Sequence, residues 1–193
     1  MMPITEDSAM MRSLAVAGAV LTVGISLGAC YLAPFGPDPV QYAALAVIDG
    51  RPTAVVAVCG RPTVVVDVYL DEDTMDDSLH KWSVTVTLPD QVQDAEVELL
   101  GAARPGWEIT SNEEEVVGTG PGSFTVVPLT SIEPGHHYNL DSSDGGPEGS
   151  SAPTVTFTTD DLPKIGAGQV LATVDFDHSK IVSRESFVKE RCD

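Results

Sequence analysis

The chain has 193 residues, a formal net charge of −19 and 42% hydrophobic residues. This length suits one domain with a buried core and leaves no room for a second full domain. The acidic charge repels phosphate backbones and anionic lipid surfaces, which argues against a nucleic-acid binder and against membrane adhesion through charge. We interpret the acidic residues as keeping the exterior soluble rather than as a dedicated cation site.

The first 29 residues are predicted to be an export signal. Residues 14–27 are apolar and small, contain no charge and follow Arg12, which is the layout of a secretory signal peptide. The apolar stretch is shorter than the about 20 residues that a membrane-spanning helix needs. Because two acidic residues precede Arg12, we expect translation to begin at Met10 or Met11.

The signal ends in Leu27, Gly28, Ala29 and Cys30. This L-G-A-C sequence resembles the lipobox of bacterial lipoproteins, in which a branched residue and two small ones precede the cysteine that receives the lipid. The resemblance implies transfer of diacylglycerol to the Cys30 sulfur, cleavage before Cys30 and further acylation, for example with palmitate. It predicts an extracytoplasmic protein anchored to the cell membrane by lipid, since two acyl chains suffice for stable anchoring.

Residues 31–40 contain three prolines and show no periodic pattern. This composition predicts an extended tether rather than a packed element. The tether would begin at the lipidated cysteine and would lift one folded domain, residues 41–193, off the membrane.

Short apolar or alternating runs separated by turn residues make up the rest of the chain, a pattern typical of an all-β domain. Residues 43–48 and 53–58 predict a hairpin, because the intervening Asp49 and Gly50 readily take the positive φ angles of a tight turn. Further strands are predicted at residues 63–70, 82–88, 96–99, 107–110, 124–127, 138–140 and 154–158. Strands at this spacing predict a sandwich or a barrel.

One segment is nearly repeated within the domain. Residues 50–58 (GRPTAVVAV) resemble residues 60–68 (GRPTVVVDV). Since a solenoid needs three or more units, we interpret the two copies as similar strands of one meander.

A more specific pattern lies in the second half of the domain. Residues 129–138 (LTSIEPGHHY) contain a leucine, a Pro-Gly pair and a tyrosine, and the strand PTVTFTT at 153–159 follows after an acidic, Gly-rich loop at 141–151. The pattern resembles the later strands of fibronectin type III domains, where such a tyrosine forms a corner whose hydroxyl bonds back to the backbone. The resemblance covers residues 81–159. It implies an immunoglobulin-like antiparallel β-sandwich with extra N-terminal strands and a short C-terminal extension.

The C-terminal extension contains a candidate helix. Residues 183–191 favour a short helix that Ser183 would cap. Its apolar residues Phe187 and Val188 would then face inward.

Motifs of the better-defined enzyme classes are missing from the sequence. It has no G-x-S-x-G elbow, no G-x-x-x-x-G-K-[ST] phosphate loop and no H-E-x-x-H helix. Glycines at positions 118, 120 and 122 predict a turn rather than a phosphate cradle, because a strand follows them and not a helix. We predict that the protein is not an enzyme, with no catalytic residue and no cofactor.

The candidate metal ligands include four histidines, which are His80, His136, His137 and His178. The best local set is DFDH at residues 175–178, because histidine backed by carboxylates is a common metal-binding combination. His136 and His137 would point to opposite faces of a strand. The acidic run at residues 71–77 lacks the glycine and distal glutamate of a hand-type calcium loop. We predict no metal site.

Three cysteines are an odd number for an exported protein. Assigning Cys30 to the lipid leaves Cys59 and Cys192, which we predict to form a disulfide. The bond would fasten the penultimate residue to the end of an early strand. The alternative is that Cys59 is a small buried hydrophobe and Cys192 a free thiol.

Three functions remain open. The favoured one is a non-enzymatic interaction or accessory module of the cell envelope that binds a protein or a cell-wall component, and it rests on fold analogy. The second is a small-ligand or metal-ion binding lipoprotein serving a transporter, although the usual two-lobed form needs a longer chain. The third is an enzyme of unrecognised type. A deep pocket with carboxylates and His178 would favour the second or third, and an exposed apolar patch the first.

Overall fold

The computed structural model describes residues 42–58, 63–71, 78–89, 92–111, 113–145, 153–175 and 178–192. All of them belong to one compact unit, Pro39–Asp193. The predicted signal peptide, the lipobox with Cys30, the tether and Cys59 lie outside the described residues.

Twelve strands and one helix of more than one turn form within these residues. The strands are β1 Tyr42–Ile48, β2 Arg51–Ala57, β3 Thr63–Leu70, β4 Ser78–Thr87, β5 Asp94–Glu98, β6 Trp107–Ile109, β7 Glu115–Val117, β8 Phe124–Pro128, β9 Tyr138–Ser143, β10 Val155–Phe157, β11 Gln169–Asp175 and β12 His178–Ser183. A 3₁₀ turn covers Leu162–Lys164, and the helix α1 covers Arg184–Cys192.

The strands form two sheets. A five-stranded sheet has the order β12-β11-β1-β2-β5, and a seven-stranded sheet has the order β10-β9-β3-β4-β8-β7 with β6 also paired to β4. One apolar core joins Leu45 and Val56 of the first sheet with Val66, Val84 and Leu140 of the second. The predicted all-β sandwich is therefore confirmed.

The predicted hairpin of β1 and β2 is also confirmed. Its strands pair from Tyr42 opposite Ala57 to Ile48 opposite Arg51. Asp49 (φ 52°) and Gly50 (φ 77°) make the two-residue turn. Both φ angles are positive, as in the tight turn whose twist matches that of paired strands.

Helix α1 covers the outer face of the five-stranded sheet. Phe187 is 4% exposed and packs against a second apolar cluster that includes Val55, with Val188 beside it. The Ser186 N–H donates to Ser183 Oγ at 3.1 Å, so Ser183 caps the helix as predicted. Because β1 and β2 are buried on both faces of this sheet, their sequences are nearly continuous apolar runs instead of alternating ones.

The two similar segments were predicted to be strands of one meander, and this prediction is wrong. β2 lies in the five-stranded sheet and β3 in the seven-stranded sheet. Their sequences differ where their surroundings differ: Ala57 of β2 packs in the cluster beneath α1, whereas the corresponding Asp67 of β3 lies among polar side chains. Local similarity gave two strands with the same inward valine pattern, but it carried no information on which sheet each strand joins.

Two further details depart from the predictions. β4 pairs with β8 in parallel, from Ser78 opposite Thr125 to Lys81 opposite Pro128, so the sandwich is not antiparallel throughout. β9 continues through Ser143, which places residues 141–143 in a strand rather than in the predicted loop. They pair with β3, and this cross-strand pairing outweighs the weak strand preference of Asp and Ser.

The C-terminal extension completes the five-stranded sheet. β11 pairs with β1, where Leu171 lies opposite Leu45, and β12 pairs with β11. The sequence analysis predicted neither of these strands. The extension is therefore part of the sandwich and not an appendage to it.

Candidate functional site

Of the best local set of predicted metal ligands, residues 175–178, Asp175 of β11 lies opposite His178 of β12 in the strand register. His178 begins β12 with an exposed side chain, and residue 177 lies outside the described residues. His136 is half-buried and His137 exposed. Among the described residues, no group of three or more histidine, cysteine, aspartate or glutamate side chains is placed to hold a metal ion.

Cys192, at the end of α1, is disulfide-bonded. The described residues around it support the predicted partner. The Val58 N–H, next to Cys59 in sequence, donates to the Gln93 carbonyl at 2.9 Å, and Gln93 and Cys192 line the same cavity. The end of β2 and the end of α1 therefore lie at one end of the domain, and the pairing of Cys192 with Cys59 stays a prediction.

That cavity has a volume of about 680 Å³, which is within the range of small-ligand pockets. Two of its charged lining residues, Arg184 and Asp94, are paired with each other. Arg184 Nε donates to Asp94 Oδ2 at 2.8 Å, and a second guanidinium nitrogen bonds Glu96. Its described lining residues include no histidine, so the carboxylate and His178 constellation that would indicate a ligand or active site does not form here.

The predicted tyrosine corner is present at the start of β9. Tyr138 is 2% exposed, and its hydroxyl accepts a hydrogen bond from the Glu133 N–H at 2.8 Å. Its ring packs against Phe157 with centroids 5.6 Å apart. The turn at Pro134 and Gly135, where Gly135 has φ of +88°, reverses the chain so that the hydroxyl reaches back to the backbone.

Replacing Tyr138 with phenylalanine is expected to lower the free energy of unfolding by about 1–2 kcal/mol, because the Glu133 N–H loses its acceptor. The ring, and with it the contact to Phe157, is retained. Urea unfolding of the variant beside wild type measures the difference. A loss below the error of that measurement would show that water replaces the hydroxyl at no cost.

A polar network occupies the outward face of the seven-stranded sheet. Asp67 accepts a hydrogen bond from the Ser83 hydroxyl and pairs with Lys81 Nζ at 2.9 Å. The Tyr69 hydroxyl donates to Asp141 Oδ2 at 3.0 Å. Asp141 lies directly opposite Asp67, and its other oxygen, Oδ1, is buried without a hydrogen-bond partner. Because the carboxylates are engaged by side chains of the same sheet, the network ties β3, β4 and β9 together.

Burial, followed by the charge of Asp141, raises the pKa of Tyr69 from 10.0 to about 12. The folded chain keeps this proton while the unfolded chain releases it, so the free energy of unfolding is expected to fall as pH rises through this window. Below pH 10 Tyr69 is largely protonated in both the folded and the unfolded chain, so its ionisation does not change the free energy of unfolding. Ultraviolet titration of the folded protein should show a late-ionising tyrosine that Tyr69→Phe removes and Asp141→Asn shifts to lower pH. An unchanged titration in Tyr69→Phe would contradict the assignment.

Exposed apolar side chains concentrate on the β7–β8 hairpin. Val116 is 66% exposed, Val117 36% and Phe124 37%. Among the described residues, β7 pairs with β8 only, so it is an edge strand of the seven-stranded sheet. Two other large hydrophobics are exposed in the described part of the chain: Val174 on β11, and Ile181 on β12, an edge strand of the other sheet.

The pairing of β7, β8 and β4 places four apolar side chains next to one another on one face of the sheet. Val117 lies opposite Phe124, Val126 is two residues beyond Phe124 on the same face, and Leu79 lies opposite Val126. We call Leu79, Val117, Phe124 and Val126 the apolar strip. Val116 projects from the other face of the hairpin.

No protein-family model, curated protein or solved structure matches this chain. Its function is therefore inferred from its sequence and from the surfaces described above. Among the helices of the described residues, none combines the length and the apolarity that crossing a membrane requires.

The β7–β8 hairpin was not predicted from the sequence as a surface feature. β7 has three residues, too few for an alternating pattern to stand out. A signal was nevertheless present: Val116 and Val117 follow three glutamates and precede a turn with glycines at 118, 120 and 122. All three glycines have positive φ, and the predicted turn is confirmed.

Proposed function

We propose that this chain is an exported lipoprotein, anchored by lipid on Cys30, whose β-sandwich acts as a non-enzymatic interaction module of the cell envelope. Its partner would be another protein or a cell-wall component. The apolar segment before Cys30 and the L-G-A-C sequence support the export and the anchor.

The exposed apolar hairpin carries the proposal of an interaction module. Grouped valine and phenylalanine side chains at a free sheet edge invite association and cost solubility, so an acidic exported domain has reason to keep them only where a partner covers them. The alternative of a small-ligand carrier has the cavity beside α1 in its favour. Arg184 in that cavity is already paired with Asp94 and Glu96, which leaves it little capacity for an anionic ligand.

The anchor is tested by replacing Cys30 with serine, which cannot form the thioether. The variant is expected to lose its membrane anchor and to appear in the soluble fraction, or to keep its uncleaved signal. Membrane fractionation and mass measurement distinguish these forms from wild type. A Cys30→Ser protein that stays membrane-bound, processed and detergent-extractable would contradict the proposal.

The module is tested in intact cells by placing a photo-crosslinking amino acid at Val116, and in a control at Glu190, which is exposed on α1. Irradiation is expected to yield a discrete crosslinked species from position 116. Absence of any crosslinked species from either position, with a small molecule retained by the purified protein in native mass spectrometry, would favour the ligand carrier instead.

A further inference from the structure

We infer that the free edge of β7 binds an extended, cationic segment of a partner protein as an added β-strand. The inference rests on the proposed function and specifies the chemistry of the partner. All three residues of β7 are exposed. Within the described chain, the side of β7 away from β8 has no strand beyond it, so its main-chain groups on that side are available to an incoming strand.

Side chains beside this edge favour an apolar contribution from the incoming strand. The apolar strip lies on one face and Val116 on the other, so an apolar side chain on either face of an added strand would bury apolar surface of the hairpin. Val117 lies on the edge strand itself and Phe124 lies opposite it on β8, and each is more than a third exposed.

The negative charge beside the free edge of β7 determines which kind of partner can bind there. Glu113, Glu114 and Glu115 are all exposed and run into β7, and the whole chain carries −19. A second copy of this chain would bring two such glutamate runs and two strongly acidic domains together, which like-charge repulsion opposes. A segment with lysine or arginine opposite the glutamates gains attraction instead and is steered to the edge.

Binding is tested on the purified mature chain with a labelled synthetic peptide in which lysine alternates with valine. Two control peptides have the same length: one carries N-methyl groups on alternate amides, which blocks strand pairing, and one has glutamate in place of lysine. Fluorescence anisotropy gives the Kd of each peptide, and amide hydrogen exchange locates the contact. The lysine peptide is expected to bind, with slower exchange at residues 113–117, and each control to bind at least about tenfold more weakly.

Matched protein variants separate local attraction from the general acidity of the chain. Glu115→Lys is expected to weaken binding of the lysine peptide about tenfold, whereas Glu190→Lys, which makes the same charge change on α1, leaves the Kd nearly unchanged. Circular dichroism and thermal unfolding confirm that both variants are folded.

Several results would overturn the inference: no binding of the lysine peptide, equal binding of the N-methylated peptide, equal effects of Glu115→Lys and Glu190→Lys, or exchange protection confined to other strands. Different results would contradict the proposed function. If position 116 crosslinks a partner in cells while these peptide results are negative, the module stands and the added-strand mode is wrong. If no surface position crosslinks a partner, the module itself is wrong.

Discussion

Replacing Cys192 with serine is expected to lower the free energy of unfolding by about 4–5 kcal/mol, the value of the chain-entropy model for a closed loop of more than about 100 residues. The disulfide of Cys192, with Cys59 as predicted partner, would close a loop of that size. Such a loss is large beside the about 5–15 kcal/mol of a whole domain. Urea unfolding of the unreduced protein and of the variant measures it.

The other cysteines supply the controls. Cys59→Ser is expected to cost as much as Cys192→Ser, and the double variant no more than either, because all three lack the same bond. Cys30→Ser is expected to leave the stability of the domain unchanged. Mass spectrometry should find a peptide linking Cys59 and Cys192 and a mass two hydrogens below that of the reduced chain. Additive losses, or alkylation of both thiols in the unreduced protein, would refute the pairing.

Leu45→Ala is expected to lower the free energy of unfolding by about 3–5 kcal/mol. Leu45 is fully buried in the middle strand of the five-stranded sheet, between Ala54 of β2 and Leu171 of β11. Truncation would remove apolar contacts on the inner face and leave a cavity that paired strands cannot easily close. Chemical unfolding of the variant beside wild type gives the loss.

Ile181→Ala is the matched control for this core variant. Ile181 lies on β12 opposite Leu171 in the same sheet but is 38% exposed. Its truncation also removes a large aliphatic side chain from a strand, yet we expect a loss below about 1.5 kcal/mol, since much of its surface already meets water. Similar losses in the two variants would mean that strand preference, and not core burial, sets the stability of this sheet.

Features that depend on neighbouring residues could be predicted from the sequence. Asp49 and Gly50 indicated the turn of the first hairpin because positive φ angles are a local property. The corner at Tyr138 was predictable because its hydroxyl bonds a backbone group five residues upstream. Helix α1 was predictable for the same reason, because the capping hydrogen bond joins Ser183 and Ser186, which are three residues apart.

Features that depend on distant pairing could not be predicted in this way. Two segments with nearly the same sequence, β2 and β3, joined different sheets, because strand periodicity specifies a buried face but not a partner. The polar network of the seven-stranded sheet could not be predicted for a similar reason. Asp67 and Asp141 look like ordinary outward residues of their strands until the register places them opposite each other. The β7–β8 hairpin became a candidate interaction surface only when β7 proved to be an edge strand.

The five-stranded sheet is assembled from both ends of the domain, and this sets the order in which the protein can fold. β1 and β2 leave the ribosome before the other strands, whereas β11, β12 and α1, which complete and cover their sheet, leave after them. Until then β1 keeps an open strand edge and an uncovered apolar face. Contacts so distant in sequence close slowly, and exposed strand edges favour aggregation. Keeping the emerging chain apart from other chains until β11, β12 and α1 have been synthesised would therefore determine how much of it reaches the folded state.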